Sequence, residues 1–257
     1  MGNYKGRLII GVVIALIAVV SYFMMGDENP VTGEKQRVSL TVDEEIRLGI
    51  QSAPEMIREF GGEYRDSKLQ AYVDRVGNKL VQSTEAGSSP YKFEFHLLAD
   101  ANTVNAFALP GGQIFITYAL LSRLKNEDQL AGVLGHEIGH VINRHSAEHI
   151  AKQELTQGLI QATDIATGDP GMISRFIGNM VNMKYGREDE LESDDYGVKY
   201  MIEAGYKPEA MIDVMKILKE ASGGGNQPEF MSTHPSPDNR IEKLKEVIAK
   251  YRSKGSK

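Results

Sequence analysis

The sequence GHEIGH at residues 135–140 decides the fold, because it contains the motif H-E-x-x-H. Apolar spacing places this motif on a helix that begins near Asn126, with acidic residues in its first turn. Two histidines four positions apart on a helix differ in direction by about 40°, so His136 and His140 can bind one divalent ion and Glu137 can reach a water molecule. With only 6 histidines in 257 residues, such a motif arises by chance in roughly one chain per hundred. The motif therefore indicates a metal site.

The third metal ligand must be a histidine or an acidic residue, because a catalytic zinc site uses three protein ligands and the chain contains no cysteine. His96 and His234 lie outside the histidine-rich helix, and acidic residues cluster at 187–195. A helix over residues 188–204 would hold Glu190 and Asp194 on one face, so that one carboxylate could bind the metal while the other orients a histidine ring. Spacing alone does not separate Glu190 from its acidic neighbours, which are Glu188, Glu192 and Asp194.

A second motif, H-x-x-E-H, follows one turn after the first, in the inverted order that another class of metallopeptidases uses. If the helix continues, its histidines, His145 and His149, point about 180° and 220° away from His136 and cannot bind the same ion. Their neighbours Asn143 and Arg144 are polar, and we expect them to be solvated. We therefore predict a surface or packing role for the second pair of histidines.

The remaining pattern predicts a mainly helical α+β domain over residues 42–257. Apolar residues spaced as on a helix predict helices at residues 42–60 and 67–82. Apolar and polar residues then alternate, and a Pro-Gly-Gly turn follows, which predicts a small antiparallel sheet beside the H-E-x-x-H helix. Its strands are expected at residues 91–98, 103–108 and 113–117. From Tyr118 onward the pattern is helical almost to the end.

The N-terminal segment has a different character. Residues 8–25 include no charged side chain and would span roughly 27 Å as a helix, enough for one membrane crossing. Basic residues precede this run and acidic residues follow it, an arrangement that leaves the N-terminus in the cytoplasm and exports the rest. We predict a membrane anchor at residues 1–26, with a cleaved signal peptide as the alternative, and a linker at residues 27–41.

Composition excludes several partners and chemistries. The formal net charge is −6 and basic residues are interspersed with acidic ones, so nucleic acid is not a predicted partner. The absence of cysteine excludes disulfides, thiolate zinc sites and a cysteine nucleophile. A metal-dependent reaction is the chemistry that remains favoured by the histidine motif.

Four segments carry a family resemblance: NAFALPGG at residues 105–112, GHEIGHVINRH at 135–145, E-x-x-x-D at 190–194 and THPSPDNRI at 233–241. Together they resemble the zinc metallopeptidases of family forty-eight, which include the HtpX, BepA, Oma and CAAX prenyl protease groups. The resemblance covers nearly the whole chain after the linker. It implies a zincin-like metallopeptidase domain that hydrolyses peptide bonds with one zinc ion per chain.

The resemblance also implies roles for individual residues. His136, His140 and Glu190 would bind zinc, and Glu137 would activate the water. Asp194 would hold a ligand in place. The histidine of the T-H-P segment lies at the active site of relatives, so His234 would stabilise the oxyanion or gate the metal.

The segment at residues 105–112 would form an edge strand beside the cleft. An unfolded or extended polypeptide substrate would add to Asn105, Ala106 and Phe107 by backbone hydrogen bonds; the alternative is a hairpin that only packs beneath the helices. Residues 156–187 are rich in glycine and methionine. They would form a mobile lid over the zinc or a core helix padded with flexible side chains.

Membrane segments and repeats distinguish the kinds of relative. The CAAX prenyl protease and HtpX kinds carry several membrane helices, and the BepA kind continues into helical repeats. We therefore expect a single-anchor or periplasmic type, held at the bacterial inner membrane with its catalytic domain in the periplasm. Its expected substrates are misfolded or misassembled envelope proteins, a role in protein quality control. Two alternatives stay open: a non-catalytic chaperone or assembly factor that keeps the metallopeptidase shell, and a latent enzyme in which His234 occupies the fourth metal position.

Overall fold

The computed structural model describes residues 4–167, 186–221, 230, 234 and 239–255. Contacts divide the chain into two compact units. The first contains most residues before Val42, together with the described residues from Ser146 to Thr167. The second contains Val42 to His145 and the described residues from Gly186 onward.

The first unit contains helix α1 (Tyr4–Met24) and the hairpin of β1 (Asp27–Glu28) and β2 (Lys35–Gln36). Among the described residues, α1 is the one helix that is long and apolar enough to cross a membrane. Its large apolar side chains are exposed, as expected for a helix that contacts lipid: Ile9 is 64% and Ile17 is 60% exposed. An N-terminal membrane helix is therefore consistent with the predicted anchor.

A small three-stranded sheet lies in the second unit. Its strands are β3 (Glu94–Leu98), β4 (Ala106–Ala108) and β5 (Gln113–Thr117), in the order β3-β5-β4. The β4–β5 pair is antiparallel, as predicted, but the β3–β5 pair is parallel, so the prediction of a wholly antiparallel sheet was wrong. The tight turn pairs β4 with β5, which leaves β5 in the centre with all of its residues buried and β3 on its other side.

Helices form the rest of this unit, and the predicted mainly helical α+β class is confirmed. Helix α3 (Ser67–Gln82) has the predicted bounds, and its N-cap Asp66 accepts hydrogen bonds from two backbone amides of the first turn. The other helices are α2 (Val42–Glu59), α4 (Tyr118–Leu121), α5 (Glu127–Ile142), α7 (Arg187–Glu203), α8 (Ala210–Ala221) and α9 (Arg240–Gly255). Helix α6 (His145–Thr167) begins directly after α5 and continues into the first unit.

Helix α5 is the centre of the second unit. Every residue from Gln129 to Ile142 is buried, and the helix contacts α3, α7, α8 and the sheet. Small residues let α5 and α7 approach closely: a Cβ atom built on Gly139 would lie 3.0 Å from the Ser193 carbonyl oxygen. This approach brings the acidic face of α7 against the H-E-x-x-H motif. The core of the predicted lid, residues 168–185, lies outside the described residues.

Candidate metal centre

Helix α5 carries the three residues of the H-E-x-x-H motif. The Asn126 side chain caps its N-terminus by accepting a hydrogen bond from the Gln129 amide at 3.0 Å, and acidic residues fill the first turn. His136, Glu137 and His140 are 2%, 0% and 1% exposed. Polar side chains so deeply buried need partners.

Four buried side chains converge at this point: His136, His140, Glu190 and His234, each with one ligand atom within 4.8 Å of the others. The Nε2 atoms of His136 and His140 are 3.0 Å apart. Glu190 Oε2 lies 3.4 Å from His136 Nε2, and Glu190 Oε1 lies 3.5 Å from His140 Nε2. His234 Nδ1 lies 3.0 Å from Glu190 Oε1 and 3.4 Å from His136 Nε2. The cluster therefore brings Glu190 and His234, from two other parts of the chain, to the two motif histidines.

The donor set fits a divalent metal ion. Ligand atoms at about 2.0–2.1 Å from a tetrahedral zinc ion lie about 3.3 Å from one another, and the separations among His136, His140 and Glu190 range from 3.0 to 3.5 Å. His136 Nδ1 faces the Asp194 carboxylate at 3.0 Å, so this nitrogen carries the proton of the neutral ring and Nε2 presents a lone pair. Two imidazoles and a carboxylate suit zinc, and other first-row divalent ions share this preference.

The structure distinguishes among the acidic residues of α7. Glu190 joins the cluster, whereas Glu188 is exposed. Glu192 contacts His145 instead, and Asp194 contacts the far nitrogen of His136. Among these four acids, Glu190 alone has a carboxylate in position to bind the same ion as the two histidines.

Arg240 balances the charge of the buried acids, and the sequence analysis gave it no role. Its Nε and Nη2 atoms donate to the two oxygens of Asp194 at 2.7 and 2.8 Å, and its Nη1 lies 3.1 Å from Glu190 Oε2. Burial alone would raise the pKa of Asp194, but the adjacent guanidinium holds this pKa below its usual range. The signal that could have found Arg240 was its place in the THPSPDNRI segment together with the need of buried acids for a cation.

The cluster distributes its protons unevenly without a metal. Burial opposes the charged form of His136, but contacts with Asp194 and Glu190 outweigh burial and raise its pKa to about 9. His140 is the reverse case, since burial lowers its pKa well below the ordinary value. Burial would raise the pKa of Glu190, but the neighbouring histidines, His234 first, lower it far below its usual range. A metal ion must therefore displace a proton from His136 when it binds.

Glu137 is the least satisfied acid of the site. It is fully buried, and neither carboxylate oxygen accepts a hydrogen bond from any described residue. Burial raises its pKa above the ordinary value for glutamate. His234 Nε2 lies 3.8 Å from Glu137 Oε1, and the His234 ring stacks on Phe230 at 4.5 Å between centroids. A carboxylate held in this way can accept a proton from a small donor that enters the site.

The prediction for the second histidine motif was wrong at His145. Helix α5 ends at Ile142, and Arg144 has a positive φ of 56°, so the chain turns and His145 Nδ1 lies 2.9 Å from His140 Nδ1. Asn143 and Arg144 were expected to be solvated, but each is 1% exposed. A break in the helix, which spacing cannot reveal, has reversed the predicted direction of His145. His149 is half-buried and is not part of the described cluster.

Strand β4 contains two of the residues predicted to bind substrate, and Asn105 precedes it. Asn105 O accepts from the Thr117 amide, and the Leu109 amide donates to Gln113 O. The alternation of an antiparallel ladder therefore turns the backbone amides and carbonyls of Ala106 and Ala108 away from β5, towards the edge of the described sheet.

Three rings on neighbouring strands of the sheet, Phe107, Phe115 and His96, form a stack. Phe107 stacks on Phe115 with ring centroids 4.8 Å apart and also contacts Phe60. His96 stacks on Phe115 from the other side, and its Nε2 lies 2.9 Å from Gln113 Oε1. Phe107 and His96 thus pack against Phe115 in this structure, and the backbone of β4 is placed to meet an extended chain.

The chain is similar to known proteins over most of its length. Residues 67–248 match a family model described as peptidase family M48. The chain is 32% identical over 233 residues to the mitochondrial metalloendopeptidase OMA1 of Schizosaccharomyces pombe. The aligned region covers 89% of this chain and 68% of that protein. The chain is 28% identical over 255 residues to the beta-barrel assembly-enhancing protease of Escherichia coli K12, and there the aligned region spans 93% of this chain and 50% of the relative. The chain therefore belongs to peptidase family M48 and is a metalloendopeptidase.

Proposed function

We propose that this chain is a zinc endopeptidase in which Glu137 acts as the general base for hydrolysis of peptide bonds. The observation that carries the proposal is the convergence of His136, His140 and Glu190. Their potential ligand atoms are close enough to one another to share one metal ion, and the fully buried Glu137 lies beside them. A structural helix would have no reason to bury this carboxylate without a hydrogen bond from any part of the chain that the structure describes.

His136, His140 and Glu190 would hold the zinc ion. When bound, zinc would lower the pKa of a water molecule and polarise the substrate carbonyl. Asp194 and Arg240 keep His136 in the tautomer that presents Nε2 to the metal, through the hydrogen bonds described above. These contacts fix the site before substrate arrives.

Glu137 would move the protons of the reaction. Its carboxylate would accept a proton from the attacking water and then donate it to the nitrogen of the leaving amine. A pKa raised by burial suits both steps, because a base of higher pKa is stronger and its protonated form survives until the amine departs.

His234 would control access to the metal. Its Nδ1 atom lies 3.0 Å from Glu190 Oε1 and 3.4 Å from His136 Nε2, the separations expected between two ligands of one metal ion. This supports the latent arrangement, in which the His234 ring occupies the fourth metal position. Replacing His234 with Ala would then raise the rate of peptide hydrolysis. A lower rate would instead support a role in stabilising the oxyanion.

The substrate would be an unfolded or extended polypeptide that pairs with β4. The outward backbone groups of Ala106 and Ala108 offer hydrogen bonds to an added strand, as in other β-augmentation complexes. With α1 as a single membrane anchor and the domain in the periplasm, the substrates would be misfolded or misassembled envelope proteins. The name of the Escherichia coli relative, a beta-barrel assembly-enhancing protease, supports this substrate class.

Digestion of casein by the purified full chain tests the proposal. A chelator should abolish digestion and zinc should restore it, and metal analysis should find about one zinc ion per chain. Glu137→Gln should keep the metal but lower the rate by roughly 10²–10⁴-fold. The control Glu188→Gln, at an exposed position of α7, should be as active as the wild type. A Glu137→Gln form that digests casein normally would refute the proposed base, and equal suppression of aggregation by both forms without digestion would support the chaperone alternative.

A further inference from the structure

We propose that His145 and Glu192 are positioning residues that hold the His140 ring in the orientation and tautomer that metal binding requires. This proposal rests on the proposed metal site. It adds two residues that the chemistry described above does not use.

A series of side-chain hydrogen bonds runs from the metal cluster through His145 to the partly exposed Glu192. His140 Nε2 faces the cluster, and its Nδ1 lies 2.9 Å from His145 Nδ1. His145 Nε2 lies 3.1 Å from Glu192 Oε2. Ser193 Oγ also lies near His145 Nδ1, at the longer distance of 3.3 Å. His145 is 2% exposed, whereas the Glu192 side chain is 39% exposed.

Only one arrangement of protons satisfies both the metal and these contacts. His140 Nε2 must offer a lone pair to bind a metal, so the proton of the neutral ring lies on Nδ1 and is donated to His145 Nδ1. His145 then carries its own proton on Nε2 and donates it to the Glu192 carboxylate. Each ring nitrogen thus has one defined role. The other tautomer of His140 would need His145 Nδ1 to donate, and the lone pair of a neutral His145 Nε2 would then face the Glu192 carboxylate.

The two metal-binding histidines are held in different ways. His136 donates directly to Asp194, a buried carboxylate that Arg240 neutralises. His140 reaches its carboxylate through a second imidazole instead. Hydrogen-bond partners behind a metal ligand set its ring orientation and basicity, so His145 performs for His140 the task that Asp194 performs for His136.

The backbone is shaped to bring His145 back to His140. On a continuous helix, side chains five positions apart differ in direction by about 140°, but the positive φ of Arg144 interrupts the helix just before His145. The Arg144 guanidinium is buried and its Nε donates to Glu45 Oε1 at 2.9 Å. A non-glycine residue in this conformation is strained and persists only when its surroundings fix it. The ion pair with Glu45 supplies this fixation.

Zinc affinity tests the proposal without an activity assay. The full chain in detergent is titrated with zinc against a chromophoric chelator. His145→Leu removes the acceptor for His140 and should weaken zinc binding by about 10–100-fold. His145→Asn places an amide oxygen near the position of Nδ1 and should recover most of this loss. The matched control His149→Leu, at the other histidine of the second motif, should bind zinc like the wild type.

Glu192→Ala tests the outer end of this series of hydrogen bonds, at a side chain that is 39% exposed. It should bind zinc more weakly than the wild type and more tightly than His145→Leu. Wild-type affinity in His145→Leu, equal loss in His145→Leu and His145→Asn, or wild-type affinity in Glu192→Ala would each overturn the proposal. If His145→Leu does not fold, Glu192→Ala and His145→Asn decide the matter. Failure of the wild type to bind zinc would instead refute the proposed metal site itself.

Discussion

Replacing Arg240 with Met should destabilise the metal-free protein by about 3–5 kcal/mol, because the change leaves buried acids without their counter-charge. Arg240 is 1% exposed and donates two hydrogen bonds to Asp194, itself 2% exposed. It also lies 3.1 Å from Glu190. Methionine retains much of the packing of the arginine stem, so the loss reports mainly the missing charge.

A double variant separates charge balance from packing. Asp194→Leu combined with Arg240→Met removes both members of the pair, and apolar replacement of a buried pair is often close to neutral. The double variant should therefore be at least about 2 kcal/mol more stable than Arg240→Met alone. Recovery should be incomplete, because His136 Nδ1 loses its acceptor and an unpaired buried polar group costs about 1–3 kcal/mol.

Urea unfolding of the full chain in detergent and chelator, followed by far-ultraviolet circular dichroism, measures these differences. The matched control is Arg252→Met in the same helix, where the side chain is 62% exposed and pairs with Glu209. Such surface pairs contribute at most about 1 kcal/mol. If Arg240→Met costs no more than this control, or if the double variant is no more stable than the single one, the charge-balance reasoning is wrong.

Three further perturbations probe the packing around the site and the metal itself. Gly139→Ala should lower the unfolding free energy by about 1–3 kcal/mol and weaken zinc binding, because its Cβ would lie 3.0 Å from Ser193 O. The control Gly135→Ala should be tolerated, because its Cβ would lie 3.4 Å from the nearest atom of α7. Gly77→Ala should lower the urea midpoint although alanine favours helix by about 1 kcal/mol, because its Cβ would lie 2.5 Å from the Phe95 ring. Removing zinc held at 100 times its Kd should cost about 2.7 kcal/mol, seen as a lower thermal midpoint in chelator. Unchanged stability of Gly139→Ala or Gly77→Ala would contradict the close contact at that glycine, and an unchanged thermal midpoint in chelator would contradict the metal site.

The helices could be predicted from the sequence because their signals are local. The spacing of apolar residues and the cap at Asp66 fix α3 at the predicted bounds. The direction of β3 relative to β5 could not be predicted, because alternation shows which side chains of a strand are buried but not which neighbour it pairs with. The turn before β5 identifies only its partner β4.

The site could be predicted in part, for the same physical reason. His136 and His140 lie on one helix, so their common direction follows from spacing alone. The choice of Glu190 among four acids depends on the rotation of α7 about its axis, which close packing at Gly139 helps to set. The direction of His145 depends on one backbone angle at Arg144. No periodic pattern encodes either quantity.

The charge of the buried centre argues for a divalent cation independently of the ligand distances. Among the described residues of the centre, three buried carboxylates, Glu137, Glu190 and Asp194, accompany one buried guanidinium, that of Arg240, and this leaves two negative charges when the histidines are neutral. Uncompensated charge in a protein interior is strongly unfavourable, and the metal-free centre relieves part of it by protonating His136, whose pKa is raised to about 9. A divalent ion, which displaces this proton when it binds, would neutralise both negative charges. The net charge of these three acids and Arg240 is therefore equal and opposite to the charge of a divalent ion.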